Sequence, residues 1–276
     1  MDAWLVYDHE GADRNADYID YHHEVGLRYG VRFELLYAEE IDKSVPDHTP
    51  DFAVVRTIRP RLNSKLEDLG IRTFNNSKVS FLANHKGRCI SYIAKNTDVP
   101  VIPTEVIRSG DDIRMILKDK EGYVIKPASG HGGKDVRRVS GTEHFFDEIK
   151  NASEKDDVIL QPFVEGPGED VRVYVIGKRI VAAVKRKAPK GEFRANASLG
   201  GLVERYTLSG AETEYVRQIT DVFDFGMVGI DFIIDADGGF VFSEIEDVVG
   251  ARMLYRTHPE IDILDEYISF LCLTCR

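Results

Sequence analysis

The residues best placed to do chemistry are three carboxylates near the end of the chain, Asp231, Glu244 and Glu246. Between them lies Asp237-Gly238, which favours a two-residue hairpin turn because glycine tolerates positive φ. That turn places Asp231 opposite Glu244, and Gly229 opposite Glu246. Since side chains alternate along a strand, the three carboxylates then share one face. We therefore expect an acidic cluster on the last hairpin of the chain.

Carboxylates that face one another across paired strands repel, so this cluster needs a cation, bound protons or strong hydration. Mg²⁺ or Mn²⁺ is suited to it, because these ions bind one or two carboxylates together with phosphate oxygens. The alternative is an acidic sheet face that lies open to water. The other face of the hairpin is expected to be apolar and to carry Phe232, Ile234, Val241 and Ile245.

A candidate anion site lies upstream, where Lys126 ends the apolar strand predicted over Tyr123–Lys126. The glycine-rich segment 129–134 follows, and glycine lets backbone N–H groups approach a phosphate closely. Lysine adds a compact positive charge, although the spacing is not that of a Walker A loop. The alternative is that this segment is only a turn.

A second basic segment lies between residues 185 and 201 of an otherwise acidic chain. Asn196 and Gly200-Gly201 in the same segment are typical of a shaped anion-binding loop, whereas the alternative is a solvated charged loop. Its basic residues are Lys185, Arg186, Lys187, Lys190 and Arg194.

The strand predicted over Val158–Val164 is broken by Pro162, which removes one backbone donor and suits an edge or hinge. Backbone groups near Phe163 are then available to hydrogen-bond a flat base. The turn Gly177-Lys178 pairs the two strands that follow, and places Asp170 opposite Lys185. An ordinary cross-strand ion pair explains that placement equally well.

The composition bounds the function. The chain has 276 residues, and the hydrophobic share of 43% argues against a disordered chain. Its formal charge of −11 argues against binding to nucleic acids and to anionic membranes. Three cysteines cannot form a disulfide framework, and Cys272-x-x-Cys275 alone lacks the four ligands of a structural zinc site. The first residues have no signal-peptide pattern, so we expect a cytoplasmic protein.

Strand and helix patterns alternate in the first third of the chain, which predicts a small parallel sheet. The expected elements are the strands Ala3–Tyr7, Phe33–Tyr37 and Phe52–Val55 and the helix Asp13–Tyr29. From Tyr123 onward the pattern becomes rich in strands, which predicts a mixed, largely antiparallel region. The fold class is therefore α+β.

Six segments, taken in order, resemble the ATP-grasp superfamily, and 190–201 is most similar to its RimK-type branch. They are Val124-Ile-Lys-Pro with the glycine-rich segment, Leu160-Gln-Pro-Phe-Val, Asp170-Val-Arg-Val-Tyr, Lys190-Gly-Glu-Phe-Arg-Ala-Asn, Gly229-Ile-Asp and Ser243-Glu-Ile-Glu. The resemblance implies an ATP-grasp fold after a small α/β, Rossmann-like (pre-ATP-grasp) domain. The implied domains are 1–80 and 81–276, the second divided into a central or lid part, 81–162, and a C-terminal part, 163–276.

The resemblance also implies that ATP phosphorylates a carboxylate and that an amine attacks the acyl phosphate, which makes the chain a ligase that forms an amide bond. Lys86 and Lys126 match the family's phosphate-binding lysines, and the segment 129–133 matches the loop that closes over the phosphates. Residues 161–164 match the hinge beside adenine. Asp170 matches the acidic residue near the ribose. The implied nucleotide-binding residues are Lys86, Lys126, Ser129, Gly130, Gly132, Gly133, Gln161, Pro162, Phe163, Val164 and Asp170.

The remaining roles follow from the same resemblance. Arg186, Arg194 and Asn196 match groups that act on the transferred phosphate, and Asp231 and Glu244 match ligands of Mg²⁺ or Mn²⁺. The family usually carries asparagine where this chain has Glu246, so we expect Glu246 to ligate the metal as a carboxylate. Pro162 likewise stands where the family often has a glutamate that bonds adenine.

Our leading hypothesis is an ATP- and metal-dependent carboxylate–amine ligase with small-molecule or peptide substrates. The alternatives are a nucleotide-binding regulatory or scaffold relative without ligase chemistry, and an ATP-grasp phosphotransferase. Arg56 and Arg252 are candidates for a substrate carboxylate, Arg56 because it closes a strand at the end where α/β sites open. Cytosolic enzymes are often dimers, so a homodimer is also expected.

Overall fold

The computed structural model describes residues 1–118, 122–129, 136–139, 142–189 and 202–275, apart from the side chain of Glu143. Within these ranges the strands form three sheets that follow one another along the chain. No helix in this part of the protein is long and apolar enough to cross a membrane.

The first sheet is parallel and has the strand order β2-β1-β3-β4. Its strands are β1 (Asp2–Tyr7), β2 (Arg32–Tyr37), β3 (Phe52–Val55) and β4 (Thr73–Phe74). The connecting helices are α1 (His9–Arg14), α2 (Ala16–Arg28), α3 (Ala38–Lys43) and α4 (Pro60–Asp68). The predicted parallel sheet is confirmed by this arrangement.

The single helix predicted over Asp13–Tyr29 is wrong, since α1 ends at Arg14 and α2 begins at Ala16. Asn15 separates them with non-helical backbone angles, φ −125° and ψ 25°. Its side-chain amide donates to the carbonyl of Gly11 at 2.7 Å, which competes with the backbone bonds of a continuous helix.

The second sheet is antiparallel and has the order β5-β8-β6-β7. Two helices precede it, α5 (Ser77–Ala83) and α6 (Lys86–Asn96). Its strands are β5 (Glu105–Ile107), β6 (Tyr123–Pro127), β7 (Arg137–Arg138) and β8 (Val158–Pro162), with helices α7 (Ile113–Leu117) and α8 (Glu143–Ser153). β8 therefore ends at the proline that was predicted to interrupt it.

The third sheet is antiparallel and has the order β11-β10-β9-β12-β13. Its strands are β9 (Glu169–Ile176), β10 (Arg179–Lys187), β11 (Leu202–Tyr206), β12 (Met227–Ile234) and β13 (Phe240–Glu246). The helices of this region are α9 (Gly210–Val222), α10 (Arg252–Thr257) and α11 (Ile263–Thr274).

The last hairpin has the predicted acidic pairing but not the predicted turn. Its loop spans residues 235–239 rather than two residues, and the Asp235 carboxylate accepts the N–H groups of Asp237 and Gly239 at 3.0 and 2.7 Å. A bulge at Ser243 then inserts one residue into β13, so that Asp231 still pairs with Glu244. The longer loop and the bulge shift the register of the two strands in opposite directions, so the predicted pairing is kept.

The bulge changes which residues face the core. Between the loop and the bulge, β13 turns Phe240 and Phe242 inward, and both are buried. Val241, predicted on the apolar face, is only half-buried, whereas Phe232, Ile234 and Ile245 are buried as predicted.

The pairing of β9 with β10 shows a similar shift. The two-residue turn Gly177-Lys178 is confirmed, with Gly177 at a φ of +59°. A bulge at Val181 then moves the register by one residue, so Asp170 lies opposite Arg186. The predicted pairing of Asp170 with Lys185 is therefore wrong.

Asn75 connects the first sheet to the third. Its buried side-chain amide donates to the carbonyl of Met227 at 3.0 Å and to the Asp247 carboxylate at 2.7 Å. Its oxygen accepts the N–H of Gly226 at 2.6 Å. Asp247 directly follows β13, so this one side chain fixes the end of the acidic hairpin against the first sheet.

Replacing Asn75 with alanine removes all of these bonds and leaves buried backbone groups and a carboxylate unsatisfied. We expect Asn75→Ala to lower the free energy of unfolding by about 3 kcal/mol or more. Urea denaturation measures this change, with Asn96→Ala as the control because Asn96 makes one exposed side-chain bond, to Tyr92. Equal stability of the two variants would contradict this role of Asn75.

Candidate functional site

The centre of the candidate site is Asp231, which lies on β12 between two other strands. It pairs with Arg172 of β9 on one side and with Glu244 of β13 on the other. Its side chain is buried, with 3% exposed, and needs compensation for its charge. Arg172 supplies it with two parallel bonds, Nε to Oδ1 at 2.8 Å and Nη2 to Oδ2 at 2.7 Å.

Arg172 is a site residue that the sequence reasoning missed. Besides Asp231 it bonds Glu246 through Nη1, so one guanidinium joins two of the three predicted carboxylates. The signal was present, because Arg172 lies two residues after Asp170 and side chains two apart on a strand share a face. The cation that the repelling cluster requires is thus partly the protein's own.

Arg186 makes a second guanidinium bridge within the cluster. It bonds both oxygens of Asp170, and its Nη2 also donates to Asp231 Oδ2 at 2.8 Å. Although burial raises the pKa of Asp231, the guanidiniums of Arg172 and Arg186 hold it well below its usual value. Asp231 is therefore ionised, and both of its oxygens are engaged.

Two lysines lie beside Glu244 on the same side of the hairpin. Lys86 begins α6, its N–H donates to the carbonyl of Ala128 at 2.8 Å, and its Nζ lies 3.1 Å from Glu244 Oε2. The pKa of Lys126 is lowered to about 8, mainly because the side chain is buried. The negative charge of Glu244 raises this pKa, and the positive charge of Lys86 lowers it further. For Glu244, burial raises the pKa, but Lys86 and Lys126 bring it below its usual value.

The predicted phosphate-binding lysines and metal-binding carboxylates therefore form one cluster of opposite charges. Among the described residues it contains four basic side chains, Lys86, Lys126, Arg172 and Arg186, and four acidic ones, Asp170, Asp231, Glu244 and Glu246. With every group ionised, these charges balance before any ligand binds.

The fit of this cluster to a divalent metal depends on which carboxylate oxygens are unengaged. Among the described residues, no group of three or more His, Cys, Asp or Glu side chains is arranged to hold a metal ion. Asp231 gives both oxygens to guanidiniums, whereas Glu244 and Glu246 each keep one oxygen that no described residue bonds. Two carboxylate oxygens fit a metal that takes its other ligands from phosphate.

The predicted hinge is formed at the end of β8, but its groups are used within the protein. The Gln161 side chain is buried and donates to Thr104 Oγ1 at 2.8 Å. The N–H of Phe163 donates to the carbonyl of Gly122 at 2.9 Å, so it is not available to a base as expected. The Phe163 ring lies under the Arg138 guanidinium, and Pro162 and Val164 are half-buried.

Several predicted residues lie outside the part of the chain that the structure describes. They are Gly130, Gly132, Gly133, Arg194 and Asn196. Ser129, at the start of the glycine-rich segment, is exposed, and its N–H donates to Asp156 at 3.3 Å.

Arg56 and Arg252, the candidates for a substrate carboxylate, line one cavity of about 400 Å³. The cavity lies between α2 and the segment that follows β13. Arg59, three residues after Arg56, bonds Glu39 at 2.6 Å and Asp42 at 2.5 Å and is neutralised there.

Known structures share this fold over the whole chain. A D-cycloserine synthetase, DcsG, superposes with a TM-score of 0.77 at 18% identity, with 100% of both chains covered. A D-alanine–D-alanine ligase from Bacillus anthracis gives a TM-score of 0.74 at 14% identity, covering 99% of this chain and 98% of that one. At such identities the likeness establishes the fold.

Curated relatives are similar in sequence. A probable alpha-L-glutamate ligase of Legionella pneumophila (strain Corby) is 31% identical over 75% of this chain and 68% of its own length. Beta-citrylglutamate synthase B of Danio rerio is 29% identical over 82% of this chain and 56% of its own length. A tetrahydromethanopterin:alpha-L-glutamate ligase of Methanosarcina acetivorans is 29% identical over 61% of this chain and 56% of its own.

A sequence model of the RimK-like ATP-grasp domain matches residues 83–271, about two thirds of the chain. The predicted fold and the predicted class, a ligase that forms carbon–nitrogen bonds, are confirmed by the family and its named relatives. The chain belongs to the RimK-like ATP-grasp family, whose named relatives above are ligases.

Proposed function

We propose that this protein joins a carboxylate to the amine of an amino acid or peptide, with ATP and a divalent metal. The observation that carries the proposal is the contact between Lys86 and Glu244, 3.1 Å apart at the end of the acidic hairpin, with Lys126 beside them. Positive groups for phosphate and carboxylates for a metal meet there. The relatives include alpha-L-glutamate ligases, which supports an amino acid as one substrate.

In the proposed reaction a carboxylate oxygen of the acid attacks the terminal phosphorus of ATP, and ADP leaves. The amine then attacks the acyl carbon, a proton leaves the nitrogen, and inorganic phosphate departs as the amide bond forms. Such a reaction depends mainly on positioning and on neutralising charge. Bound nucleotide and metal supply the phosphoryl group and a Lewis acid.

The chain's own residues supply the surrounding charges. Lys86 and Lys126 would bind phosphate oxygens, and Glu244 and Glu246 would hold the metal, each with the oxygen that no described residue bonds. Asp231 would join them only if Arg172 or Arg186 released one of its oxygens. Arg186 would supply positive charge for the transferred phosphate, which is the role expected of it.

We carry the remaining expectations forward as part of this proposal. The domains are 1–80 and 81–276, divided at 162, and each of the three parts contains one of the three sheets. The hinge residues Gln161–Val164 lie beside the base, Asp170 lies near the ribose, and Ser129, Gly130, Gly132, Gly133, Arg194 and Asn196 act on the phosphates. The protein is cytoplasmic, and a homodimer is its expected assembly.

Replacing Glu244 with glutamine keeps its shape but removes the charge that faces Lys86. We expect Glu244→Gln to lower turnover about 100-fold or more while the protein stays folded, because a metal ligand is lost. An ADP-release assay with Mg²⁺ and each amino acid in turn measures turnover, and Glu214→Gln on the exposed face of α9 is the control. Near-normal turnover would contradict metal binding at Glu244.

The same assay separates the alternatives. No ADP release with any amino acid or peptide favours a regulatory relative, and a phosphorylated product by mass spectrometry favours a phosphotransferase. A product heavier by an amino acid less water supports the ligase.

The lowered pKa of Lys126 predicts a pH dependence of stability. Between about pH 8 and the ordinary value of 10.5, the unfolded chain holds a proton that the folded chain has lost, so stability rises with pH. We expect Lys126→Met to be more stable than the wild type below pH 8, by on the order of 2 kcal/mol, and this advantage to shrink toward pH 10.5. Urea denaturation across this range tests it; a difference independent of pH would be the contrary result.

A further inference from the structure

The cavity beside Arg56 has a polar lining that the phosphate chemistry does not use. Its volume of about 400 Å³ is within the range of small-ligand sites. Tyr18, Arg56 and Tyr255 line it, and Arg252, Asp13 and Asp17 are exposed at its edge.

Several residues that line this cavity, or lie next to it, have a buried polar atom without a hydrogen-bond partner. Among the described residues, Arg56 Nε and the hydroxyls of Tyr7, Tyr18 and Tyr255 are buried and have no partner. Tyr18 and Tyr255 line the cavity with Arg56, and Tyr7 lies close enough to Arg56 to affect its pKa. Burial raises the pKa of Tyr18 to about 12, so its hydroxyl keeps its proton. Unpaired buried donors that converge on one cavity require an explanation.

The charge of Arg56 is also uncompensated by a direct ion pair. In the described ranges no carboxylate lies within 4.0 Å of its guanidinium, and its Nη2 donates to the carbonyl of Val249 at 3.0 Å. Its other contact is with the ring of Tyr18, 5.7 Å from the guanidinium carbon. A guanidinium that lines a cavity without a carboxylate partner suits an anionic ligand with two oxygens.

The cavity adjoins the charged cluster through the segment that follows β13. Val249, which accepts the bond from Arg56, lies three residues after Glu246. Tyr174 of β9 donates to the carbonyl of Gly250 at 3.1 Å, and Gly250 lines the cavity. Tyr174 is two residues from Arg172, so β9 contacts both the charged cluster and the segment that lines the cavity.

We propose that the cavity beside Arg56 binds a substrate carboxylate that does not itself react, held by Arg56 with the hydroxyls of Tyr18 and Tyr255. This inference rests on the proposed ligase function. The group is either the carboxylate of the amino acid whose amine reacts, or the second carboxylate of a dicarboxylic acid. No covalent step occurs in the cavity, which positions the substrate beside the phosphates.

Binding is tested first without nucleotide, so that the result does not depend on turnover. The protein is labelled with ¹⁵N-arginine, and the Arg56 Nε–H signal is assigned by its loss in Arg56→Lys. L-glutamate is then added, with glutamate diamide at equal ionic strength as the uncharged match. We expect the Arg56 signal to move with glutamate and not with the diamide. An unmoved signal at saturating glutamate, or equal movement with the diamide, would overturn the proposal.

Turnover then distinguishes the two sources of the carboxylate. For an amino acid found active by ADP release, Arg56→Gln should raise its KM about tenfold or more, with the KM for ATP unchanged. The wild type should discriminate to the same extent against the α-carboxamide of that amino acid. If the wild type discriminates only against the monoamide of a dicarboxylic acid, the carboxylate in the cavity belongs to the acid and not to the amino acid whose amine reacts. Arg56→Lys should recover part of the loss.

The controls keep this inference separate from the ligase proposal. Arg217→Gln, on the exposed face of α9, should leave both KM values unchanged. If ADP is released but the wild type has the same KM for the acid and for its carboxamide or monoamide, the ligase function stands and the cavity proposal fails. If no substrate releases ADP but glutamate still moves the Arg56 signal, the ligase proposal fails and the carboxylate site stands.

Discussion

The buried ion pair between Arg172 and Asp231 is the interaction on which the rest of the site depends. A buried carboxylate without a partner costs several kcal/mol, and breaking such a pair destabilises a protein by about 3–5 kcal/mol. Arg172 and Arg186 satisfy both oxygens of Asp231, and this fixes β9, β10 and β12 with their charged ends together. Glu244 is then free to face Lys86.

The sequence predicts the chemistry of the site better than its geometry. The parallel first sheet, the largely antiparallel region after it and the acidic pairing of β12 with β13 follow from strand patterns and turn residues, and the lysine pair follows from the family resemblance. The strand registers cannot be predicted in this way, because one extra residue at a bulge changes which residues lie opposite each other. Ser243 restored the pairing of Asp231 with Glu244 after a wrong turn, while Val181 moved Asp170 from Lys185 to Arg186. Bulges leave no clear signal in the residue types.

Arg172 shows a second limit of reasoning from spacing alone. Carboxylates on a shared face were expected to need a cation, bound protons or strong hydration, and their spacing does not show that a neighbouring strand supplies the cation. The neighbour of β12 is β9, which is far away in sequence, so the partner of Asp231 depends on strand order. The result is a cluster balanced in charge without ligand, in which phosphate and metal charges would have to enter together.

The claim that nucleotide phosphate and metal enter the cluster together is tested most directly by measuring Mn²⁺ binding with electron paramagnetic resonance, with and without ADP. The balanced cluster offers Glu244 and Glu246 one oxygen each, so Mn²⁺ should bind weakly alone and at least tenfold more tightly to the protein–ADP complex than to either protein or ADP by itself. Tight Mn²⁺ binding without nucleotide, or no gain in affinity when protein and ADP are combined, would contradict this account of the site.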